Sequence, residues 1–196
     1  MHIAFFDFDG TITTDDSLIQ FIRFAVGEFT FVSGMVVLSP MLMAYKLKII
    51  TNYRAKELML SYFFKGMSEE KFMQVSKAYS LSQIDTIVRP KAMEKIAWHK
   101  EQGHTVVVVS ASIECWLKPW CDKNEIELIA TKLEMKEGRV SGRFVTKNCY
   151  GIEKVNRIKE VYRLTDCTHI YAYGDSRGDK ELLALGDERF YKPFRD

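Results

Sequence analysis

The sequence predicts an α/β fold in which a parallel β-sheet carries helices on both faces and an all-helical segment is inserted near the start. Short apolar segments typical of buried strands alternate with segments of helical spacing. Polar signatures follow several of these strands at their carboxyl ends, where open α/β sheets place their sites. A long helical stretch separates the first two strands, so residues 1–13 and 89–196 are assigned to the core and residues 14–88 to a helical cap.

The first strand stops abruptly on two acidic residues. Residues 3–6 form a short apolar run typical of a strand that is covered on both faces. Asp7 and Asp9 are two positions apart, so in an extended chain their side chains point the same way, and Gly10 then permits a sharp turn. Two crowded carboxylates repel each other unless a cation lies between them. The pattern predicts a Mg²⁺ site with a carboxylate that can act as a nucleophile.

The insertion is predicted to be helical throughout. A polar run leads to Ser17, where the first helix begins. Asp16 is interpreted as the cap of that helix, with a position at the mouth of a site as the alternative. Thr51 or its neighbour caps a helix over residues 52–64, and a further helix runs over residues 68–89.

Residues 29–45 are the most unusual segment, because these seventeen residues carry no charge. We favour a buried or self-associating pair of cap helices. The alternatives are a surface that docks on a bilayer or holds an apolar substrate, and a membrane span, although a span needs about 20 apolar residues. Peripheral membrane contact through residues 29–45 is therefore an alternative prediction.

The alternation of strands and helices resumes after the insertion. The β-branched run over residues 104–110 is typical of a buried parallel strand. Since strand–helix–strand units form parallel sheets with right-handed crossovers, the remaining elements complete the core. They are a helix over 92–102, a helix with Trp116 and Trp120 in the core, a strand over 127–130, a hairpin over 132–145, a helix over 150–164, a strand over 169–173, a helix through 182–185 and an edge strand over 189–191.

Composition excludes some classes of function. The chain has 196 residues and a net charge of +2 without a basic run, which argues against a nucleic-acid partner. Four cysteines and four histidines lack the spacing of metal ligands and are interpreted as reduced or structural residues. The start of the chain lacks the pattern of a signal peptide, so a cytoplasmic location is expected.

The polar signatures resemble the motifs of the haloacid dehalogenase (HAD) superfamily in type and order. The first is the run Asp7-Phe8-Asp9-Gly10-Thr11; Ser110, Lys154 and the pair Asp175 and Asp179 follow. An insertion between the first and second motifs resembles subfamily IB, the group of phosphoserine phosphatase and phosphatidylglycerophosphatase C. The resemblance implies a Rossmann-like core, a cap of the C1 type and a phosphomonoester hydrolase that uses Mg²⁺ and an aspartyl-phosphate intermediate.

The resemblance also implies a role for each motif residue. Asp7 would be the nucleophile and Asp9 the general acid and base. Mg²⁺ would be held by Asp7, Asp175 and the backbone carbonyl of Asp9. Ser110 and the amide of Ala111, placed at a helix N-terminus, would bind the substrate phosphate together with Lys154. Asp179 would orient Lys154 or a metal-bound water.

The substrate is less well determined by the sequence. Phosphoserine phosphatases typically carry Asn before the last motif Asp, whereas this chain has Gly178. The apolar cap and the stretch over residues 52–57 look similar to phosphatidylglycerophosphatase C, which favours a lipid-linked phosphate and a place at the inner face of the membrane. The alternatives are phosphoserine or another small-metabolite phosphate monoester, and a non-catalytic phosphate-binding protein on the same fold.

Overall fold

A computed structural model describes residues 1–195 of the chain and confirms the predicted α/β architecture. A five-stranded sheet has the order β3-β2-β1-β6-β7, and all its neighbouring strands are parallel. A separate antiparallel hairpin joins β4 and β5. The strands are β1 His2–Phe6, β2 Thr105–Ile113, β3 Glu127–Thr131, β4 Leu133–Lys136, β5 Arg139–Phe144, β6 His169–Gly174 and β7 Glu188–Tyr191.

Helices lie on both sides of this sheet and fill the interval between β1 and β2. Short helical turns over Phe8–Ile12, Leu164–Asp166 and Arg177–Asp179 complete the structure. The helices are α1 Ser17–Val26, α2 Glu28–Val37, α3 Ser39–Lys46, α4 Asn52–Phe64, α5 Glu69–Ser82, α6 Ile84–Ile87, α7 Pro90–Glu101, α8 Glu114–Lys123, α9 Ile152–Val161 and α10 Lys180–Leu185. The boundaries 14–88 of the cap remain a prediction.

The central strand β1 is buried on both faces, as its apolar run predicts. Ile3 and Phe5 contribute to one apolar cluster, whereas Ala4 and Phe6 contribute to the other, and all four are fully buried. The valines of β2 alternate between the same two clusters. Because the two faces of a strand are both covered, β1 is held rigidly and its carboxyl end is a fixed point for the residues that follow.

The cap and the core share one apolar cluster. Phe21 of α1 stacks on Trp116 of α8 at a centroid distance of 4.4 Å. Trp116 and Trp120 are fully buried, which confirms the prediction that they are core residues. The helix predicted over 68–89 is interrupted at Gln83, where α5 ends and the short α6 follows.

The uncharged segment 29–45 differs from the favoured prediction. It forms α2 and α3, but α2 buries only Phe31 and Gly34, and α3 buries no residue. The interpretation that this pair is buried within the chain is therefore wrong, and self-association and bilayer contact remain predictions. Within residues 1–195 no single helix has the length and apolar character needed to cross a membrane, although α1 and α2 meet both criteria as a pair bent by 118°.

The hairpin predicted over 132–145 is present and ties the cap to the core. Backbone hydrogen bonds join Gly66 to Val140 at 2.9 Å and Glu69 to Gly138 at 2.8 Å. The buried carboxylate of Glu57 in α4 accepts a hydrogen bond from the Phe144 amide at 3.1 Å. The hairpin therefore holds α4 at Glu57, within the helix, and at Gly66, just after its carboxyl end.

Candidate active site

The carboxyl ends of β1, β2 and β6 meet at one edge of the sheet, as parallel pairing requires. Asp7 directly follows β1, and its amide donates to the Tyr173 carbonyl of β6 at 2.9 Å. Asp175 follows β6, and Lys154 reaches the same point from the first turn of α9. The motif residues that are separated along the chain therefore lie together.

Lys154 is the electrostatic centre of the site. Its side chain is buried, and its ammonium group donates to Asp7 Oδ1 at 2.5 Å, Asp179 Oδ1 at 2.7 Å and the Val109 carbonyl at 2.8 Å. Burial disfavours the ammonium ion, but the two carboxylates outweigh that cost and raise the pKa of Lys154. An ammonium group has three N–H donors, so the protein satisfies all of them and Lys154 acts on a bound anion as a fixed positive charge.

Asp7 is almost completely buried beside this lysine. Its Oδ2 accepts a hydrogen bond from the Thr11 hydroxyl at 3.0 Å. Burial raises the pKa of Asp7 to about 7, against the opposing effect of Lys154. Removal from water therefore keeps this carboxylate weakly solvated, which favours nucleophilic attack.

Asp9 has different partners from Asp7. Its Oδ1 accepts from the Ser17 amide at 2.7 Å, and its Oδ2 accepts from the Ser112 hydroxyl at 2.5 Å. Ser17 in turn donates its hydroxyl to Ser112 at 3.0 Å. Burial, followed by the nearby charge of Asp16, raises the pKa of Asp9, so the protonated form is favoured more than in water.

The β2 end of the site departs from the prediction. Strand β2 continues through Ile113 across a register irregularity, and α8 begins only at Glu114. The prediction that Ser110 and Ala111 lie at a helix N-terminus is therefore wrong. The Ser110 side chain is fully buried and accepts a hydrogen bond from the Ser112 amide at 3.0 Å, whereas Ala111 lines the site cavity.

Asp179 of the last motif is held by hydrogen-bond donors from its own loop. Asp179 Oδ2 accepts from the Ser176 amide at 2.9 Å and its hydroxyl at 2.7 Å, and from the Asp175 amide at 3.2 Å. Although burial opposes it, Lys154 lowers the pKa of Asp179. Asp179 is thus held as an anion in direct contact with Lys154, and its supporting role remains a prediction.

Three carboxylates could hold a metal ion. Asp7, Asp175 and Asp179 each offer one oxygen, and these oxygens lie within 4.8 Å of one another. A Cβ atom at Gly10 would lie 2.6 Å from Asp175 Oδ2, so the absence of a side chain there leaves room for this carboxylate. A set of hard oxygen donors of this kind suits Mg²⁺.

A cavity of about 150 Å³ is lined by Asp7, Asp9, Lys154 and Asp179. The cap contributes Asp16, Asn52 and Lys56 to its lining, and the core contributes Tyr150. From the sequence, Lys56, like Arg54 and Arg177, is either a surface charge or a contact for a second anionic group of the substrate, and Asn52 and Tyr150 are not assigned to the site. Their contribution depends on how the cap folds over the sheet. Asp16 both caps α1, through the amides of the first turn, and lines the cavity, so its two interpretations are compatible.

Comparison with known proteins identifies the family. The haloacid dehalogenase-like hydrolase family matches residues 4–184. The chain belongs to this family. Protein CicA of Caulobacter vibrioides is 32% identical over 193 residues, which cover 97% of this chain and 85% of CicA. A probable phosphatase of Mycobacterium tuberculosis is 34% identical over 119 residues, which cover 57% of this chain and 40% of that protein.

Solved structures have the same fold as this HAD-like hydrolase. A Bordetella pertussis protein of unknown function superposes with a TM-score of 0.83 at 23% identity, covering 94% of this chain and 86% of that one. A phospho-aspartyl intermediate analogue of phosphoserine phosphatase superposes with a TM-score of 0.63 at 18% identity, covering 94% and 83%. The prediction of a HAD superfamily enzyme is confirmed, and assignment to subfamily IB remains a prediction.

Proposed function

We propose that this HAD-like hydrolase is a Mg²⁺-dependent phosphomonoester phosphatase that forms an aspartyl-phosphate at Asp7. The observation that carries the proposal is the buried Lys154 bound to both Asp7 and Asp179, with Asp9 in a separate hydrogen-bonded network and both Asp7 and Asp9 lining one cavity. This arrangement separates a nucleophilic carboxylate from one that is suited to proton transfer.

The carboxylates fit Mg²⁺ by their chemistry and spacing. Asp7 and Asp175 would hold the ion together with the backbone carbonyl of Asp9, and Asp179 would support Lys154. Mg²⁺ would neutralise negative charge on the phosphoryl oxygens and on Asp7. Lys154 adds a second fixed positive charge at the same place, so a phosphate dianion can approach the acidic cluster.

The first step forms a bond from a carboxylate oxygen of Asp7 to phosphorus and breaks the bond from phosphorus to the ester oxygen. Asp9, held by Ser17 and Ser112, gives its proton to the departing alkoxide. In the second step Asp9 takes a proton from water, whose oxygen attacks the aspartyl-phosphate. Inorganic phosphate leaves, and the Asp7 carboxylate is restored.

For the physiological substrate we favour a lipid-linked phosphate. The exposed apolar helices α2 and α3 connect directly to the cavity, since Asn52, which lines it, donates to the Tyr45 hydroxyl of α3 at 3.1 Å. Phe29, Val36 and Ile49 are the most exposed large apolar side chains of this region, at 88%, 67% and 71%. An apolar surface beside the catalytic cavity is suited to the inner face of a membrane, where we place the protein.

Lys56 favours a substrate with additional negative charge. Its ammonium group donates to the Ala111 carbonyl at 3.0 Å and lines the cavity. Phosphoserine and other small anionic phosphates remain the alternative substrates.

A direct comparison of phosphoserine with phosphatidylglycerophosphate as substrates distinguishes a small-metabolite phosphatase from a lipid phosphatase. Faster release of phosphate from the lipid supports the proposal, and turnover of phosphoserine alone contradicts it.

The catalytic part of the proposal is tested with p-nitrophenyl phosphate. We expect turnover that requires Mg²⁺ and is abolished in Asp7→Asn, with Ser33→Ala in the exposed helix α2 as the control. Turnover that survives in Asp7→Asn contradicts the nucleophilic role. Phosphate binding without turnover in the parent protein would favour the non-catalytic alternative.

A sedimentation experiment tests membrane contact. The parent protein should sediment with vesicles that contain anionic phospholipid, whereas a Phe29→Ser, Val36→Ser variant should remain in solution with its p-nitrophenyl phosphate turnover unchanged. Equal sedimentation of the two proteins contradicts contact through α2 and α3. An apparent dimer in the parent that is lost in the variant would favour self-association.

A further inference from the structure

The three grouped carboxylates differ in how many donors the protein supplies to them. Asp7 accepts from Lys154 on one oxygen and from Thr11 on the other. Asp179 likewise has donors on both oxygens. Asp175 accepts from Arg195 on Oδ2, and within residues 1–195 no donor hydrogen-bonds to its Oδ1. Asp175 is therefore the member with an oxygen left for another cation.

Arg195 is brought to Asp175 by an anchored segment of chain. After β7 ends, the Lys192 amide donates to the Gly174 carbonyl at 2.8 Å, which extends the pairing with β6 by one residue. Lys192 has a φ of 54°, so the backbone turns sharply there. The segment consequently crosses the carboxyl end of β6, directly beside Asp175.

Phe194 fixes this segment by packing on the aromatic residues of the core. It is buried, and its ring stacks on Tyr173 of β6 at a centroid distance of 5.7 Å and lies 6.3 Å from the ring of Phe6 in β1. Phe6 and Tyr173 are themselves stacked at 4.2 Å. The neighbouring Arg195 is thus attached to the rigid centre of the sheet.

We infer that Arg195 is a positioning residue for the metal site: it holds Asp175 by Oδ2 and leaves Oδ1 available to a cation. The inference rests on the proposed function. A carboxylate can take a metal ion on one oxygen and a hydrogen-bond donor on the other, and loss of such a supporting partner typically weakens metal binding by about 10- to 100-fold.

The positive charge of Arg195 also repels a metal ion, which acts against its orienting effect. The Arg195 side chain is 40% exposed, whereas that of Asp175 is 12% exposed, so water and salt screen the guanidinium more than the carboxylate. Because the guanidinium is the more screened of the two groups, we expect its orienting effect on Asp175 to exceed the repulsion.

Isothermal titration with MgCl₂ and no substrate tests the inference. Arg195→Ala should weaken Mg²⁺ binding by about 10- to 100-fold. Arg195→Lys should restore part of the affinity, because it keeps the charge but not the planar guanidinium. Arg177→Ala, an exposed arginine in the turn after β6, is the matched control and should bind Mg²⁺ as the parent does.

A second variant tests the anchor. Phe194→Ala should weaken Mg²⁺ binding in the same direction, and the double variant should be no weaker than Arg195→Ala, because both changes remove one effect. Unchanged or tighter binding in Arg195→Ala overturns the inference while the proposed function stands. A parent protein that binds no Mg²⁺ overturns the metal requirement of the proposed function and the inference with it.

Discussion

The Ser112 hydroxyl donates to Asp9 Oδ2 at 2.5 Å, although the two residues are 103 positions apart in the sequence. The contact stabilises the ionised form of Asp9 and opposes the effect of burial on its pKa. Ser112→Ala should therefore raise the pKa of Asp9 further. In the proposed mechanism Asp9 must be ionised to accept a proton from water, so the acidic limb of the kcat–pH profile should move to higher pH.

The measurement is the p-nitrophenyl phosphate pH profile of Ser112→Ala beside that of the control Ser33→Ala. We expect kcat near neutral pH to fall by about 10-fold, because one general acid–base group contributes a factor of roughly 10² to 10⁴ and this change impairs it only in part. A profile with the same acidic limb as the parent would remove Ser112 from the proton-transfer network.

The contact between Ser112 and Asp9 could not be predicted from the sequence. Asp7, Asp9 and Asp175 could be placed from the sequence because they directly follow apolar strands, and parallel strands bring their carboxyl ends to one edge. The β-branched run over residues 104–110 predicts that the strand ends at Ser110 and that Ser112 belongs to the turn into the next helix. The register irregularity that prolongs β2 has no sequence signal of its own and depends on pairing with β3.

The cap side of the site was harder to predict for a different reason. Asn52 and Lys56 reach the cavity from α4, and their positions depend on how that helix packs against the core hairpin. The helical spacing of α4 indicates that it is amphipathic but not which core element it contacts. The exposure of α2 and α3 could not be predicted either, because an apolar segment is equally compatible with a core and with an external partner.

Replacement of Lys154 should affect stability as well as catalysis. Lys154→Met would leave Asp7 and Asp179 buried without their shared cation, and breaking a buried pair in this way typically costs about 3–5 kcal/mol. We expect a loss of that order in the free energy of unfolding, measured with urea at pH 7.5, and no detectable turnover. A loss of under about 1 kcal/mol would contradict the central electrostatic role of Lys154.

Gly10 and Gly27 offer a matched pair for testing the space around Asp175. Both have positive φ, 86° and 82°, but a Cβ atom meets Asp175 at Gly10 and nothing within 4 Å at Gly27. Each Ala substitution should lower stability by about 1 kcal/mol because of the backbone strain. Only Gly10→Ala should also weaken Mg²⁺ binding, because it displaces the Asp175 carboxylate. Equal Mg²⁺ affinities in the two variants would contradict this requirement for space.

His99 should make the fold sensitive to acid. Its ring is fully buried, with Nε2 2.8 Å from the Tyr173 hydroxyl and Nδ1 2.8 Å from His104 Nδ1. Burial, followed by the charge of His104, lowers the pKa of His99 to about 3. Between that value and the unfolded pKa of about 6.5, the unfolded chain binds more protons than the folded one, so stability falls as the pH falls through this range.

The test compares the urea unfolding of the parent and His99→Gln at several pH values. A neutral amide cannot take up the proton, so the variant should lose less stability on acidification. The difference between the two slopes should approach about 1.4 kcal/mol per pH unit between pH 6 and pH 4 and vanish above pH 7.5. Because the burial of Asp7 acts on both proteins alike, it cancels in this difference. Parallel curves across the whole range would show that His99 is protonated as readily in the folded chain as in the unfolded one.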